Sequence, residues 1–401
     1  MIMGAWGFWF LAAACLIAAC YQLASLAASI VHLLRRDPLP AGSPGVSILK
    51  PIHGLDDNFE GAIQSHAAQD YPAFEILFGV NDPGDASIPL IERLQRDYPN
   101  VSIRLFSVST GAPNAKVGVL SELAGRARHP LWLVNDSDIR VPPGYLRRIA
   151  APLEDAGVGL VTCIYRAAAS SWPGRFEALG IATDFAPSTL VAPYAGVREF
   201  GLGSTLLFRA SDLARIGGFA AISDYLADDY QLARRLTGLG LRVHLSKVVV
   251  ESGLQAKSWR DVWHHQLRWC RTIRVSRLDG FLGLPVTFAS FWALVAMAAG
   301  QWWIGSGLLA LRYAAALVAG LGVLRCPVTA RLWPLVAVRD LFGVAVWIAA
   351  WLGREVQWRD KRLRLLPGGR ITQGVCDKFV GGNPADIARR SVAPRIPPSD
   401  R

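Results

Sequence analysis

The chain has 401 residues, room for one domain of roughly 250 residues plus membrane segments. Its formal charge of +11 points to anionic lipid or phosphate-bearing substrates. The excess gathers at 259–277 and 354–370 beside apolar stretches, not among stacking aromatics on a soluble module, which argues against nucleic acid.

Residues 4–34 carry no Lys, Arg, Asp or Glu, a run longer than the ~20 apolar residues a spanning helix needs. The start MIMGAWG lacks the basic region of a signal peptide, so a retained N-terminal anchor over 1–36 is expected. Arg35-Arg36 follow at once and place the next segment on the cytoplasmic side. The six cysteines include no CxxC pair and no metal-like spacing, as suits reduced thiols facing a cytosol.

Residues 37–45 read as a Pro/Gly-rich linker. Strand and helix patterns then alternate. Strands are expected at 46–52, 74–80, 101–108, 130–134 and 158–165, with helices at 56–69, 87–98, 116–127 and 143–154. This rhythm predicts an α/β domain over 46–280 built on a largely parallel, doubly wound sheet. Apolar blocks at 281–300 and 303–324 are each long enough to span, the second with Arg312 inside it. A third, 334–352, holds Arg339 and Asp340, and a full span there would export the basic stretch WRDKRLRLL. A re-entrant or interfacial role for part of that block is therefore expected, leaving 355–401 as a basic cytosolic tail whose last twenty residues are loose.

The candidate site residues sit where strands run out, the place where open α/β sheets bind ligands. Asp136 and Asp138 form a D-x-D after PLWLV, and alternate positions of an extended segment can face one cation. Two carboxylates plus substrate phosphates suit Mg²⁺ or a similar hard ion, while turn or cap service is the plainer reading. Asp82, in GVNDPGD, is either an Asx-turn or an acceptor of hydrogen bonds from a uracil or ribose. Lys116 opens a helix after a Gly/Pro loop and is either solvated or turned to phosphate. Asp228 and Asp229 begin an amphipathic helix, where they offset its dipole or supply a catalytic base. Before them, FGLGST provides small residues for close packing or for an acceptor-side wall. In HQLRWCRTIR, Arg268 could grip pyrophosphate in a bidentate manner and Trp269 could wall the acceptor, or the stretch could be a basic interfacial helix.

With these residues assembled, the chain resembles the family-2-like, GT-A fold membrane glycosyltransferases, most closely the ceramide glucosyltransferase family. The resembling region runs from VSILKPI to HQLRW, with looser similarity to about 371. The resemblance implies that Asp82 holds the nucleotide, and Asp136 and Asp138 hold a divalent cation (Mg²⁺ or Mn²⁺) and diphosphate. It also implies that Asp229 is the base, and that Arg268 and Trp269 close the site. Two positions depart from the family pattern. His265 stands where the family has Gln or Arg, and DSD replaces the DSG of animal relatives, which favours metal binding here. Bacterial enzymes that glycosylate hopanoids with N-acetylglucosamine share DSDIRV-like and VTCIYR-like segments.

The expected activity is inverting transfer of a hexose from a UDP-sugar to a lipid hydroxyl. It would take place at the cytoplasmic face of a membrane, taken to be the bacterial inner membrane. A processive polysaccharide synthase would need more spans, and a non-catalytic scaffold would have lost the carboxylates that are present here.

Overall fold

The computed structural model describes residues 5–38, 40–254, 257–358 and 361–373. The loose tail expected over the last twenty residues, and Cys376, lie outside the described residues.

VSILKPI forms β1 (Val46–Ile52) with every residue buried, as a β-branched apolar run between two parallel neighbours should be. The strands that follow are β2 (Phe74–Val80), β3 (Ser102–Ser107), β4 (Leu131–Val134), β5 (Ile139–Arg140), β6 (Val158–Ala168), β7 (Leu206–Arg209) and β8 (Arg242–Gly253). They make one sheet in the order β3-β2-β1-β4-β7-β6-β8-β5. Pairing is parallel from β3 through β4 and between β6 and β8. β7 runs against both β4 and β6, and β5 against β8. The expected α/β class with a mostly parallel, GT-A-type sheet is thus what the chain adopts. Apolar helices flank it at both ends, again as expected.

Each face of the sheet carries its own core. Ile48, Ile76, Phe78 and Leu133 pack on one face under the helix Phe59–Ala67. Leu49, Leu77, Val134 and Phe208 pack on the other with the helices Ala115–Ala124 and Asp228–Thr237. Alternate residues of β1 therefore serve opposite faces, as the period of a strand requires. Register sets the site: Val46 pairs with Phe74 and with Leu131, so β1, β2 and β4 start level, and β4 ends early, opposite Leu49, while β1 and β2 run on to Ile52 and Val80.

Among the described residues, three helices are long and apolar enough to cross a membrane: Trp6–Leu34, Trp302–Val323 and Pro327–Ala350. The block expected to span at 281–300 is a bent pair, Leu278–Thr287 and Ala289–Ala298, with a 50° angle between them, and the two together are long and apolar enough to cross a membrane. Leu11, Cys15 and Ala18 pack with Ala289, Ala293, Ala296 and Leu308, and Ala28 packs with Val323 and Leu324. The N-terminal helix and Trp302–Val323 therefore run parallel, and both meet the sheet domain at their C-terminal ends. The third apolar block lies in the helix Pro327–Ala350, long enough to span and passing through a 3₁₀ turn at Trp333–Leu335. Both its ends nevertheless lie on elements of the sheet domain: Val328 packs near Leu179, and Ala350 packs with Leu267 and Cys270.

Two of the charges in these apolar blocks, Arg312 and Asp340, pair with each other. Asp340 takes Arg312 in a two-point pair at 2.9 and 2.7 Å and Ser290 Oγ at 2.6 Å. The stretch 355–373, expected as the start of a basic tail, is a three-stranded sheet of β9 (Glu355–Trp358), β10 (Lys361–Leu365) and β11 (Ile371–Gln373). Its alternation decides this: Leu363 and Leu365 are buried while Lys361, Arg362 and Arg364 are exposed.

Candidate active site

The D-x-D follows β4 directly. Asp136 N donates to Gly203 O at 3.1 Å, tying the motif to the FGLGST turn. A Cβ on Gly203 would lie 2.8 Å from Asp136 Oδ2, and one on Gly201 would lie 2.7 Å from the Asp229 carbonyl. The small residues of that turn are therefore needed for close approach to both acidic motifs.

Lys116 joins the two motifs. Its Nζ lies 2.8 Å from Asp136 Oδ1 and 3.1 Å from Asp228 Oδ2. The lysine is placed by Asn114, whose Oδ1 caps the helix through Val117 N at 3.2 Å. Burial works against the charge on Lys116, but Asp136 and Asp228 outweigh it and hold the ammonium above its ordinary range. Asp229 turns toward the same turn from the other side. Its Oδ2 accepts from Gly203 N at 3.1 Å, and its Oδ1 from Tyr230 N at 2.7 Å. Burial, and then the neighbouring Asp228 charge, push its carboxyl up to about 7, with Lys116 pulling the other way.

Asp138 is held by Ser252 Oγ at 2.6 Å, from the end of β8. Burial and the charge of Asp136 raise its carboxyl to about 6. A second lysine, Lys50, supports the loop from beneath, donating to Asp136 O at 3.1 Å. Burial holds it down to about 7, against the pull of Asp138, Asp136 and Asp56. Asp82 is exposed and closes an Asx-turn on Gly84 N at 2.8 Å. Asp85, three residues on, is buried and accepts from Gly54 N at 2.7 Å, locking that turn to the end of β1.

The HQLRW motif lies on the helix Trp259–Ser276, started by a capping box of Ser258 and Asp261. His265 and Gln266 both donate to Glu177 Oε1, each at 2.7 Å, and Glu177 is wholly buried. Gln266 in turn accepts from Arg339 at 2.7 Å. His265 stands edge-on to Trp269 at 4.6 Å, and Trp269 meets Phe185 at 5.8 Å in a cluster with Tyr165 and Ala167. Arg268 is partly buried on the same helix, its carbonyl accepting from Thr272 Oγ1 at 2.8 Å.

The structure thus gathers Asp136, Lys116, Asp228 and Asp229 into one charged cluster with Asp138 beside it. His265 and Trp269 form a separate polar and aromatic wall. Sequence reasoning missed Lys50, Glu177 and Ser252. A lone lysine inside a fully apolar strand was the available signal for the first.

Residues 8–371 match the family described as glycosyl transferase family 21. The chain belongs to that family. The chain is similar to ceramide glucosyltransferase 1 of Caenorhabditis elegans, 31% identical over 218 residues, covering 54% of this chain and 46% of the relative. Ceramide glucosyltransferase 3 of the same organism is 28% identical over 249 residues, 61% of this chain and 52% of the relative. The chain therefore spans about half the length of these curated relatives. Among solved structures, a mannosyltransferase of Pyrobaculum calidifontis, in complex with GDP-Man and Mn2+, aligns with 84% of this chain and 99% of its own. The identity there is 17% and the TM-score 0.49.

Proposed function

We propose that this family 21 member is a membrane glycosyltransferase moving a hexose from a UDP-sugar to the hydroxyl of a lipid, in the manner of a ceramide glucosyltransferase. The observation that carries this reading is the Lys116 bridge, which brings the D-x-D of β4 and the acidic pair of the helix Asp228–Thr237 into one cluster. A group for the leaving diphosphate and a group for the attacking hydroxyl then belong to one cluster.

Asp229 is the base. As the acceptor oxygen attacks the anomeric carbon, its proton passes to the Asp229 carboxylate and the bond to the diphosphate breaks. UDP departs with the electron pair, and the configuration inverts. A carboxyl raised to about 7 is well matched to receive a proton near neutrality. Lys116 meets the charge that develops on the diphosphate, Asp82 is assigned to the nucleoside, and Arg268 and Trp269 close the acceptor side. Asp136 and Asp138 fit a divalent cation: both are hard oxygen donors, and Asp138 is a buried carboxyl pushed up by its neighbour's charge. When bound there, Mg²⁺ or Mn²⁺ would neutralise part of the diphosphate charge.

Arg35-Arg36 and Arg325 sit at the sheet-domain ends of the two parallel apolar helices, which supports a cytoplasmic site under the positive-inside rule. The helix Pro327–Ala350 is assigned to the interface, because both of its ends rest on the sheet domain. Purified protein in vesicles, given UDP-glucose or UDP-N-acetylglucosamine against ceramide, hopanoid polyol and other polar lipids, tests the reading. Glucosyl transfer to ceramide is expected. Transfer only of N-acetylglucosamine to the hopanoid would move the assignment to that branch, and hydrolysis without a lipid product would refute it.

A further inference from the structure

The helix that carries Asp228 and Asp229 starts at Ala227 without a side-chain cap, so its position depends on the loop before it. That loop is gripped from two sides. From one side, Asn114 N donates to Ser223 O at 2.9 Å and Asn114 Nδ2 to Tyr225 O at 2.8 Å. From the other comes chain that follows the last apolar helix. Ile371 N donates to Asp224 O at 2.8 Å, and Leu226 N donates to Gly369 O at 3.3 Å. Leu226 is buried among Val356, Leu363, Leu365 and Ile371. The Arg370 guanidinium pairs with Asp224 at 3.3 Å and lies 5.7 Å over the Tyr225 ring.

The grip is itself anchored. Gly369, at φ +86°, presses on the HQLRW helix so closely that a Cβ would sit 2.6 Å from Ser276 Oγ. On that helix, Arg271 donates to Glu355 O at 2.6 Å and Arg274 to Gly353 O at 2.5 Å, fixing the chain where it leaves the apolar helix. Asn114 also caps the helix of Lys116 through Val117 N, a bond that residues 366–371 do not touch.

We propose that residues 366–371 are a positioning element for the Asp228–Asp229 pair, so that chain beyond the membrane helices completes the active site. The inference rests on the reading of Asp229 as base. Displacing a catalytic group by about 1 Å can cost about 100-fold in rate, whereas the nucleotide side, built on β1, β2 and β4, is left in place. The test uses the full chain in vesicles. For Gly369→Val and Arg370→Ala, kcat should fall at least about 10-fold while the Kd for UDP stays within about twofold, and Arg370→Lys should recover most of the loss. A kcat within about twofold of wild type in both variants overturns the proposal. Loss of UDP binding in step with kcat also overturns it, because the segment would then support the fold at large. Failure of the base assignment looks different. It would show as an active Asp229→Asn enzyme, whereas failure of this inference alone would show as an inactive Asp229→Asn beside an active Gly369→Val.

Discussion

Replacing Asp229 by Asn removes the proposed base while leaving most of its geometry. General-base catalysis contributes typically 10²–10⁴-fold, and kcat should fall by about that much. Stability should respond in a way set by the two hydrogen bonds. Asp229 accepts from Gly203 N and Tyr230 N, one on each oxygen, and an amide can serve only one of these donors. A buried N–H left facing the NH₂ costs about 1–3 kcal/mol, offset in part by removal of a carboxylate that burial disfavours. The Tm should therefore drop by no more than about 10 °C.

The pH dependence follows from the same residue. Its folded carboxyl stands at about 7 against an ordinary 3.8. Wild-type kcat should thus rise through about pH 7 as the base ionises, and Asp229→Asn should lose that acid limb. Between 3.8 and about 7 the folded state holds a proton that the unfolded chain has released. This contribution to stability is lost as pH rises through about 7, and the variant should lack it. Rapid-mix turnover and thermal unfolding from pH 5 to 9 measure both effects. A variant with near-wild-type kcat, or with an unchanged acid limb, would refute the assignment.

Three further outcomes are expected. Lys116→Met should raise the donor KM by about 10-fold, as loss of a charge-assisted contact of about 1.4 kcal/mol does, and should move the acid limb to higher pH, because the lysine's charge holds Asp229 down. A limb that stays put would break the link between the two residues. Chelation by EDTA should abolish turnover and Mg²⁺ or Mn²⁺ restore it, with Asp138→Ala losing at least about 100-fold; full activity in chelator contradicts metal use. Glu177→Ala should destabilise the chain by about 1–3 kcal/mol, since it removes the buried acceptor of the half-buried donors of His265 and Gln266. Glu177→Gln keeps an acceptor oxygen and should be milder, and equal Tm values for the two variants would show that the hydrogen bonds carry little.

The strands and the acidic motifs were legible because their signal is local. VSILKPI, FEILFGV and PLWLV are apolar runs of strand length that end in turn residues, and all three were found within a residue of their ends. Asp136, Asp138, Asp228 and Asp229 were recognisable by position, at a strand end and a helix start. What stayed hidden depends on partners distant in the chain. Glu177 sits in an unremarkable helix, and its meaning comes from His265, 88 residues away. Asp340 looked costly beside Arg339, and its partner proves to be Arg312, from another apolar block. The first C-terminal block read as one span because its composition is uniform, whereas its bend falls where a short 3₁₀ turn, Leu284–Thr287, precedes Ala289–Ala298. The small C-terminal sheet was obscured by charge. Its basic residues dominate the composition, while its alternation of Leu363 and Leu365 with exposed arginines is a strand pattern.

A single displacement at the anomeric carbon, with Asp229 taking the acceptor proton, is the central step of the proposed reaction. Nuclear magnetic resonance of the lipid product made from an α-linked UDP-hexose tests this most directly, through the coupling constant of its anomeric proton. A β-linked glycolipid formed by the wild-type chain, and not by Asp229→Asn, is the predicted result. An α-linked product would require a second displacement or an internal return, and would contradict the mechanism.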